Sequence, residues 1–249
     1  MLVNEVRQKL LQLRLPGMLQ ALDAQLNTPS STDMCFEERL GILVNAETVF
    51  RENRRLTTLL KTAKLKVRAD LNDISYDPRR NINRSQIASL ATCNWIQQGF
   101  NVLLTGATGT GKTYLACAFG HRACLRGFSV QFHKLGLLLD ELHQARIDGS
   151  LRSRLKVINR CALLILDDLS VKARLAESDC ELLYEVLDGR HQTGATIVTS
   201  QFPLNKWHEY FTASYPTAAD AIMDRLLTNA TKIELSGESL RNHTDIITL

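Results

Sequence analysis

The octet at residues 106–113 carries the clearest chemistry in this chain of 249 residues. It reads GATGTGKT and matches the pattern G-x-x-x-x-G-K-[ST] at every fixed position. Glycines let the backbone wrap a β/γ-phosphate group with its N–H groups pointing inward, and the following helix adds its positive end. Lys112 would reach the phosphates as a point charge, and the Thr113 hydroxyl would take one position on Mg²⁺. The pattern predicts an ATP site formed by Gly106, Ala107, Thr108, Gly109, Thr110, Gly111, Lys112 and Thr113.

The segments on either side of the octet favour this interpretation. Residues 100–105 form a short apolar run that predicts a strand, and residues 112–125 have the composition of a helix that Gly127 closes. The alternative is a flexible glycine turn between two core elements. Strand, glycine loop and helix in this order favour the phosphate site.

Two adjacent acids end another apolar run. Residues 161–166 read CALLIL, and Asp167 and Asp168 follow them. A buried parallel strand brings its carboxyl end to the edge of the sheet where the phosphate loop lies, so Asp167 is predicted to hold Mg²⁺ directly or through water. Asp168 is predicted to orient the attacking water. Adjacent acids also occur as simple caps of the next helix, but the intact glycine loop favours the Mg²⁺ role.

Gln201 follows a third apolar run, residues 195–199. A polar side chain at the end of a strand beside the glycine loop can sense the γ-phosphate. The alternative is a simple turn before Pro203.

Arg225 lies in an amphipathic segment, residues 219–226, that predicts a helix. An arginine supplied by a neighbouring subunit stabilises the charge that develops on a transferred phosphoryl group, and such a site works only in an assembly. The alternative for Arg225 is a surface ion pair.

The second part of the chain alternates between strand and helix patterns. Strands are predicted at residues 100–105, 128–132, 161–166, 195–199 and 230–235, and helices at 112–125, 134–145 and 151–158. Apolar strands separated by helices predict a parallel sheet that is covered on both faces.

Composition is that of a soluble globular protein, with 45% apolar and 22% charged residues. No stretch is long enough to cross a bilayer, and residues 1–15 lack a signal-peptide core, so the expected location is the cytoplasm. The six cysteines contain no C-x-x-C pair and are predicted to be small buried thiols. A net charge of +4 does not by itself name a partner.

The first 85 or so residues predict a small helical module. Leucines at near-helical spacing predict two helices on either side of Pro16-Gly17, and a third helix from residue 36 to about 65, with Thr32 or Asp33 as its cap. Basic residues at three- and four-residue steps either contact DNA phosphates or form an ordinary solvated face, and both alternatives stand. The candidate DNA contacts are Arg51, Arg54, Arg55, Lys61, Lys64 and Arg68.

Together these segments resemble the AAA+ ATPases, in the branch shared by helicase loaders of the DnaC type and transposition helpers of the IstB type. The IstB-like family is the more similar, over nearly the whole chain. The resemblance rests on the sequence words at residues 13–18, 46–56, 101–106, 200–203, 207–208, 219–226 and 237–241.

The resemblance implies an AAA+ P-loop α/β fold with a five-stranded parallel sheet. It also implies a helical DNA-binding and assembly domain over residues 1–85 and an ATPase domain over residues 86–249. Gln201 then matches the first sensor and Arg225 the arginine finger. Arg241 occupies a second-sensor-like place in the nucleotide site.

The activity implied by the resemblance is ATP hydrolysis coupled to assembly on duplex target DNA. The partners would be the cognate transposase of an insertion sequence and further copies of the chain, with ATP sites shared between subunits. A replicative helicase loader is the main alternative, although some loaders carry a zinc-binding amino-terminal domain and this chain has no cysteine cluster. A nucleotide kinase fits poorly, because a basic helical module has no obvious use there.

The sequence departs from the AAA+ pattern in two places. Most members carry Glu where this chain has Asp168, so a nearby acid such as Glu181 or Glu185 is an alternative for orienting water. Residues 236–249 are too few for a helical lid, which is expected to be largely missing.

Overall fold

A computed structural model describes residues 2–28, 33–169 and 174–240. The chain divides into two compact units, Met1–Thr58 and Leu59–Leu249. No helix within these described ranges is both long and apolar enough to span a membrane.

The first unit contains helices α1 (Leu2–Gln12) and α2 (Pro16–Asn27) and most of α3 (Phe36–Ala63). Pro16 occupies the first turn of α2, where its missing N–H costs nothing and its fixed φ suits a helix. The two helices predicted on either side of Pro16-Gly17 and the third helix from residue 36 are therefore confirmed.

Helix α2 crosses α3 at Gly17. A Cβ atom at Gly17 would lie 2.6 Å from the Ala46 carbonyl oxygen and 2.7 Å from the Glu47 Cα, so no larger residue fits at this crossing. The Gly17 and Met18 N–H groups donate to the Glu47 carboxylate at 2.8 and 3.2 Å. Glu47 thus places a negative charge at the positive end of α2.

The predicted cap at Asp33 is wrong. The helix begins at Phe36, and the Glu38 carboxylate accepts a hydrogen bond from the Cys35 N–H at 3.0 Å. Asp33 lies too early in the chain to cap it, and Thr32 falls outside the described residues. A glutamate in the first turn does the capping.

The second unit is built on one five-stranded parallel sheet with the order β2-β3-β4-β1-β5, which confirms the predicted α/β class. Its strands are β1 (Asn101–Gly106), β2 (Val130–Lys134), β3 (Leu163–Asp167), β4 (Ala195–Ser200) and β5 (Ala230–Leu235). Its other helices are α4 (Arg84–Leu90), α5 (Asn94–Gln97), α6 (Lys112–Leu125), α7 (Leu135–Ile147), α8 (Leu151–Asn159), α9 (Glu177–Asp188), α10 (Trp207–Thr212) and α11 (Pro216–Leu227).

Helices cover both faces of the sheet. Successive side chains of a buried strand point to opposite sides, so both faces carry apolar side chains that must be covered. In β3, Leu164 and Leu166 pack into the core formed with α7, α9 and α11, whereas Ile165 lies against Gly120 of α6. Every residue of β3 and β4 is buried. This burial explains why both strands read as continuous apolar runs.

Residues 59–85 pack with the sheet, although the sequence groups them with the helical module. The Leu65 side chain fits against Gly120, and the Asn81 side-chain amide donates to the Glu234 carbonyl of the edge strand β5 at 2.9 Å. The compact units accordingly divide at residue 58, and not at residue 85. The functional division into a DNA-binding module and an ATPase domain stays a prediction.

Arg190 links the starts of β3 and β4 through hydrogen bonds. Its side chain is 1% exposed and donates to the carbonyl oxygens of Ile158, Cys161 and Ala195 at 2.9, 3.0 and 2.6 Å. Burial lowers the pKa of this guanidinium. The carbonyls that it satisfies belong to the last turn of α8, to the turn that follows it and to the first residue of β4.

Five of the six cysteines are buried, as the sequence predicts, and Cys35 is exposed. Residues 236–240, the described part of the chain after β5, form no α-helix. The expectation about the lid also concerns residues 241–249, which lie outside that part.

Candidate nucleotide-binding site

The glycine loop lies at the carboxyl edge of the sheet, between the end of β1 and the start of α6. At Gly106 and Gly109 the φ angles are 143° and 86°, a region that side chains disfavour. A Cβ atom at Gly106 would lie 2.1 Å from the Leu235 carbonyl oxygen, and one at Gly109 would lie 2.1 Å from the Ser239 hydroxyl. The loop therefore requires glycine at both positions, which gives an open backbone surface.

Lys112 lies beneath the loop. It is 7% exposed, and its Nζ donates to the carbonyl oxygens of Gly106 and Ala107, both at 2.7 Å. Another cation bonds the outside of the loop, where the Arg80 guanidinium donates to the Thr110 carbonyl at 3.0 Å. Both contacts place positive charge next to a loop that is free of acidic residues.

Asp167 ends β3 and is fully buried. Its Oδ1 accepts hydrogen bonds from the hydroxyls of Thr113 and Thr199, each at 2.8 Å. Its Oδ2 receives no hydrogen bond among the described residues, and the Lys66 ammonium lies 3.5 Å away, at ion-pair distance. A buried carboxylate oxygen without a donor, next to a threonine hydroxyl, fits the hard oxygen ligands that Mg²⁺ prefers.

Asp168 faces the same cleft. Its backbone has a φ of 64°, a left-handed conformation that Asp tolerates better than most residues. Its N–H donates to the Thr199 hydroxyl at 2.9 Å, and its carboxylate lies 3.6 Å from the Lys134 ammonium. Thr199 therefore bonds both acids, and the sequence reasoning missed it.

The alternative acids Glu181 and Glu185 lie elsewhere. Both pair with Arg146 of α7, at 3.1 and 3.6 Å, and neither lines the cleft. The structure brings Asp168, and not these glutamates, to the glycine loop.

Gln201 contacts the glycine loop directly. Its Oε1 accepts a hydrogen bond from the Thr108 hydroxyl at 2.9 Å, and the side chain lines the cleft. Since β4 pairs with β1, residues that follow β4 emerge beside the loop that follows β1.

The cleft over the loop is open to solvent. A second cavity adjoins it at Gly111, Tyr114 and Leu240. The lining of this second cavity is largely apolar, with Ile74, Ile82, Leu115 and Leu235. A charged cleft beside an apolar cavity suits a ligand with a phosphate chain and a flat base.

Arg225 lies away from its own chain's loop. Its carbonyl oxygen accepts a hydrogen bond from the side chain of Asn101, which begins β1, whereas the loop follows the end of that strand. The guanidinium pairs with Asp188 and Asp224 at 3.1 and 3.0 Å. Hydrogen bonding to Asp188 raises the pKa of Arg225, so the group stays charged. Arg241 falls outside the described residues.

The six candidate DNA contacts are all exposed. Arg51, Arg54 and Arg55 lie on α3 within the first unit, where Arg51 pairs with Glu47 at 2.7 Å. Lys61, Lys64 and Arg68 belong to the second unit. Their exposure is compatible with both interpretations given above.

Sequence reasoning missed three residues of the site, which are Thr199, Lys66 and Lys134. A threonine that ends a buried strand beside the loop is a usable signal for Thr199. No sequence signal links Lys66 to Asp167, because the contact spans about a hundred residues and depends on packing alone.

The chain is similar to known proteins over nearly its whole length. The family model described as IstB-like ATP binding protein matches residues 8–246. The insertion sequence ATP-binding protein y4uH of Sinorhizobium fredii is 41% identical over 241 residues, which cover 97% of this chain and 96% of that protein. The ATP-binding protein of insertion sequence IS1162 from Pseudomonas fluorescens is 42% identical over 204 residues, covering 82% of this chain and 88% of that protein.

Two solved structures are similar in fold. DnaI superposes with a TM-score of 0.57 at 23% identity, covering 68% of this chain and 92% of DnaI. The DnaC helicase loader superposes with a TM-score of 0.52 at 22% identity, covering 64% of this chain and 95% of DnaC. At this identity the likeness concerns the fold, and it confirms the predicted AAA+ architecture.

Proposed function

Because this chain belongs to the family of IstB-like ATP-binding proteins, we propose that it is an ATPase that assists the transposase of an insertion sequence. The observation that carries the proposal is the buried Asp167, which is hydrogen bonded to Thr113 at the foot of the glycine loop. This contact joins the two halves of a nucleotide site that lie far apart in the sequence.

In this proposal the loop and Lys112 bind the phosphates of ATP, and the adjoining apolar cavity takes the base. Thr113 and Asp167 hold Mg²⁺, which supplies charge neutralisation at the phosphates when it is bound. The orphaned Oδ2 of Asp167 supports this assignment.

Hydrolysis then depends on residues at the rim of the cleft. Asp168 orients the attacking water, and Gln201 senses the γ-phosphate through its place beside Thr108. Arg225 completes the site of a neighbouring copy, since it lies by the start of β1, whereas its own chain's loop follows the end of that strand. ATP sites shared in this way make the active form a homo-oligomer.

Duplex DNA and the cognate transposase are the proposed partners. The exposed basic residues Arg51, Arg54 and Arg55 on α3, with Lys61, Lys64 and Arg68 farther along, supply phosphate contacts. A replicative helicase loader is the second candidate, and the fold likeness to DnaI and DnaC favours it. Recovery of a transposase or of a hexameric helicase with the protein, from its source cell, distinguishes the two.

The test is ATP-dependent binding to duplex DNA by the purified full chain, followed by fluorescence anisotropy over a series of salt concentrations. We expect binding that needs ATP and weakens steeply as salt rises. In Lys112→Ala, loss of charge-assisted hydrogen bonds worth about 1.5–3 kcal/mol should weaken ATP binding about 10- to 100-fold. The exposed Lys232 supplies the matched control, Lys232→Ala, which should bind ATP normally.

A variant without the three arginines Arg51, Arg54 and Arg55 distinguishes DNA contacts from a solvated face. Three lost phosphate contacts should lower the slope of log K against log salt by about 3. An unchanged slope would show that these arginines form a solvated face and do not contact DNA. DNA binding that depends on neither ATP nor the salt concentration contradicts the proposed function itself.

A further inference from the structure

We propose that Lys66 is a nucleotide-responsive residue: its ammonium pairs with Asp167 and moves onto the phosphates when Mg·ATP binds. The inference rests on the proposed function, because it takes the cleft to be the Mg·ATP site. Lys66 belongs neither to the glycine loop nor to the acid pair, so it is an additional residue of the site.

The position of Lys66 is fixed by its neighbours. Leu65 packs against Gly120 of α6, and Ala69 is buried with Cys117 and Ala118 of the same helix. The backbone is therefore held, while the side chain is 41% exposed and lines the cleft together with Lys112 and Thr113.

Charge explains why the ammonium lies where it does. Asp167 is fully buried, and its Oδ2 has no hydrogen-bond donor among the described residues. An isolated buried carboxylate is costly, so a cation at 3.5 Å compensates for missing solvation. Asp168 has a different partner, Lys134, at 3.6 Å, and Lys66 is a compensating charge for Asp167.

Mg²⁺ and Lys66 cannot both occupy the vicinity of Oδ2 without repulsion. When the divalent ion binds that oxygen, the ammonium is the group that yields, since lysine carries its charge on a flexible four-carbon stem. The triphosphate brings several negative charges into the same cleft, and it is the anion to which the displaced ammonium can turn.

This exchange makes two affinities change in opposite directions when Lys66 is removed. Without nucleotide, Lys66→Ala should bind Mg²⁺ about tenfold more tightly than the wild type, because no ammonium must be displaced. With nucleotide, the same variant should bind Mg·ATP about tenfold more weakly, because one phosphate contact is lost. A residue that only supports the fold would weaken both affinities together.

The experiment titrates the full chain first with MgCl₂ alone and then with ATP at saturating Mg²⁺. The thermal midpoint reports the first titration, and calorimetry reports the second. Lys66→Met keeps the apolar stem and covers the case in which Lys66→Ala unfolds, and Lys232→Ala controls for the loss of one exposed charge. Opposite shifts in Lys66→Met or Lys66→Ala support the inference.

Equal affinities in variant and wild type, or two affinities that fall together, overturn it while leaving the proposed function intact. If the wild type itself fails to bind Mg·ATP, the proposed function fails, and the inference fails with it.

Discussion

At the scale of single residues, Thr199 organises the acidic end of the site. Its hydroxyl donates to Asp167 at 2.8 Å and accepts from the Asp168 N–H at 2.9 Å, and the side chain is fully buried. One hydroxyl thereby fixes the carboxylate proposed to bind Mg²⁺ and the backbone of the acid proposed to orient water. Valine has nearly the same shape and can make neither bond.

Thr199→Val should lower the free energy of unfolding by about 1–3 kcal/mol, because it removes one of the two donors to the buried Oδ1 of Asp167 and the acceptor of the Asp168 N–H. It should also weaken the dependence of ATP binding on Mg²⁺. Urea denaturation and ATP titration at varied Mg²⁺ measure the two effects. Thr193→Val, at an exposed position, is the control, and equal stability of the two variants would show that the Thr199 bonds contribute nothing.

At the scale of elements, the site depends on strands that end level with one another. Lys134 of β2 is paired with Asp167 of β3, and Thr105 of β1 with Ser200 of β4, so the carboxyl ends meet at one edge. Arg190 fixes the opposite ends of β3 and β4 through carbonyl oxygens. Its hydrogen-bond partners in the described part of the chain are neutral groups, so it acts there as a multiple donor and not as half of an ion pair.

Arg190→Met should destabilise the second unit by about 3 kcal/mol, because several buried carbonyl oxygens lose their donors at once. Chemical denaturation followed by circular dichroism measures the change. Arg126→Met, at an exposed position, should leave the transition within about 0.5 kcal/mol of the wild type. If Arg190→Met were as stable as Arg126→Met, methionine packing would outweigh the lost hydrogen bonds.

At the scale of the whole molecule, Arg225 of α11 lies by the start of β1 and not by the glycine loop of its own chain. Arg225 is held by Asp188 and Asp224, and it lies above the Tyr184 ring with its guanidinium carbon 5.7 Å from the ring centre. An assembly in which Arg225 exchanges Asp188 for a neighbour's phosphate would join ATP binding to association. The proposed oligomer depends on this exchange.

Arg225→Ala should bind ATP almost normally and hydrolyse it about a thousandfold more slowly, as expected for removal of an arginine finger. Mixing it with Asp167→Ala should restore part of the turnover, because each variant supplies what the other lacks. A phosphate-release assay on the mixture and on each variant alone measures this. A mixture no more active than its components would mean that Arg225 forms a surface ion pair and does not contribute to a shared site.

The sequence by itself determined the parallel α/β class, the helices around Pro16-Gly17 and the places of the glycine loop, Asp167 and Gln201. These features depend on local chemistry: glycine at positive φ, proline in a first helical turn, and apolar runs in buried strands. Such signals are contained in a few neighbouring residues, so they can be read without coordinates. Strand ends were predicted within about two residues, as for β2, because strand length depends on pairing with β3.

Only the tertiary structure decided that residues 59–85 pack with the sheet, that Arg190 is a buried donor, and that Lys66 and Thr199 contact Asp167. Each of these facts joins groups that are distant in the chain. A lysine in a basic run looks the same in sequence whether it meets solvent, DNA or a buried carboxylate. The difference is made by burial, because only the removal of water from Asp167 gives the nearby ammonium its strong electrostatic role.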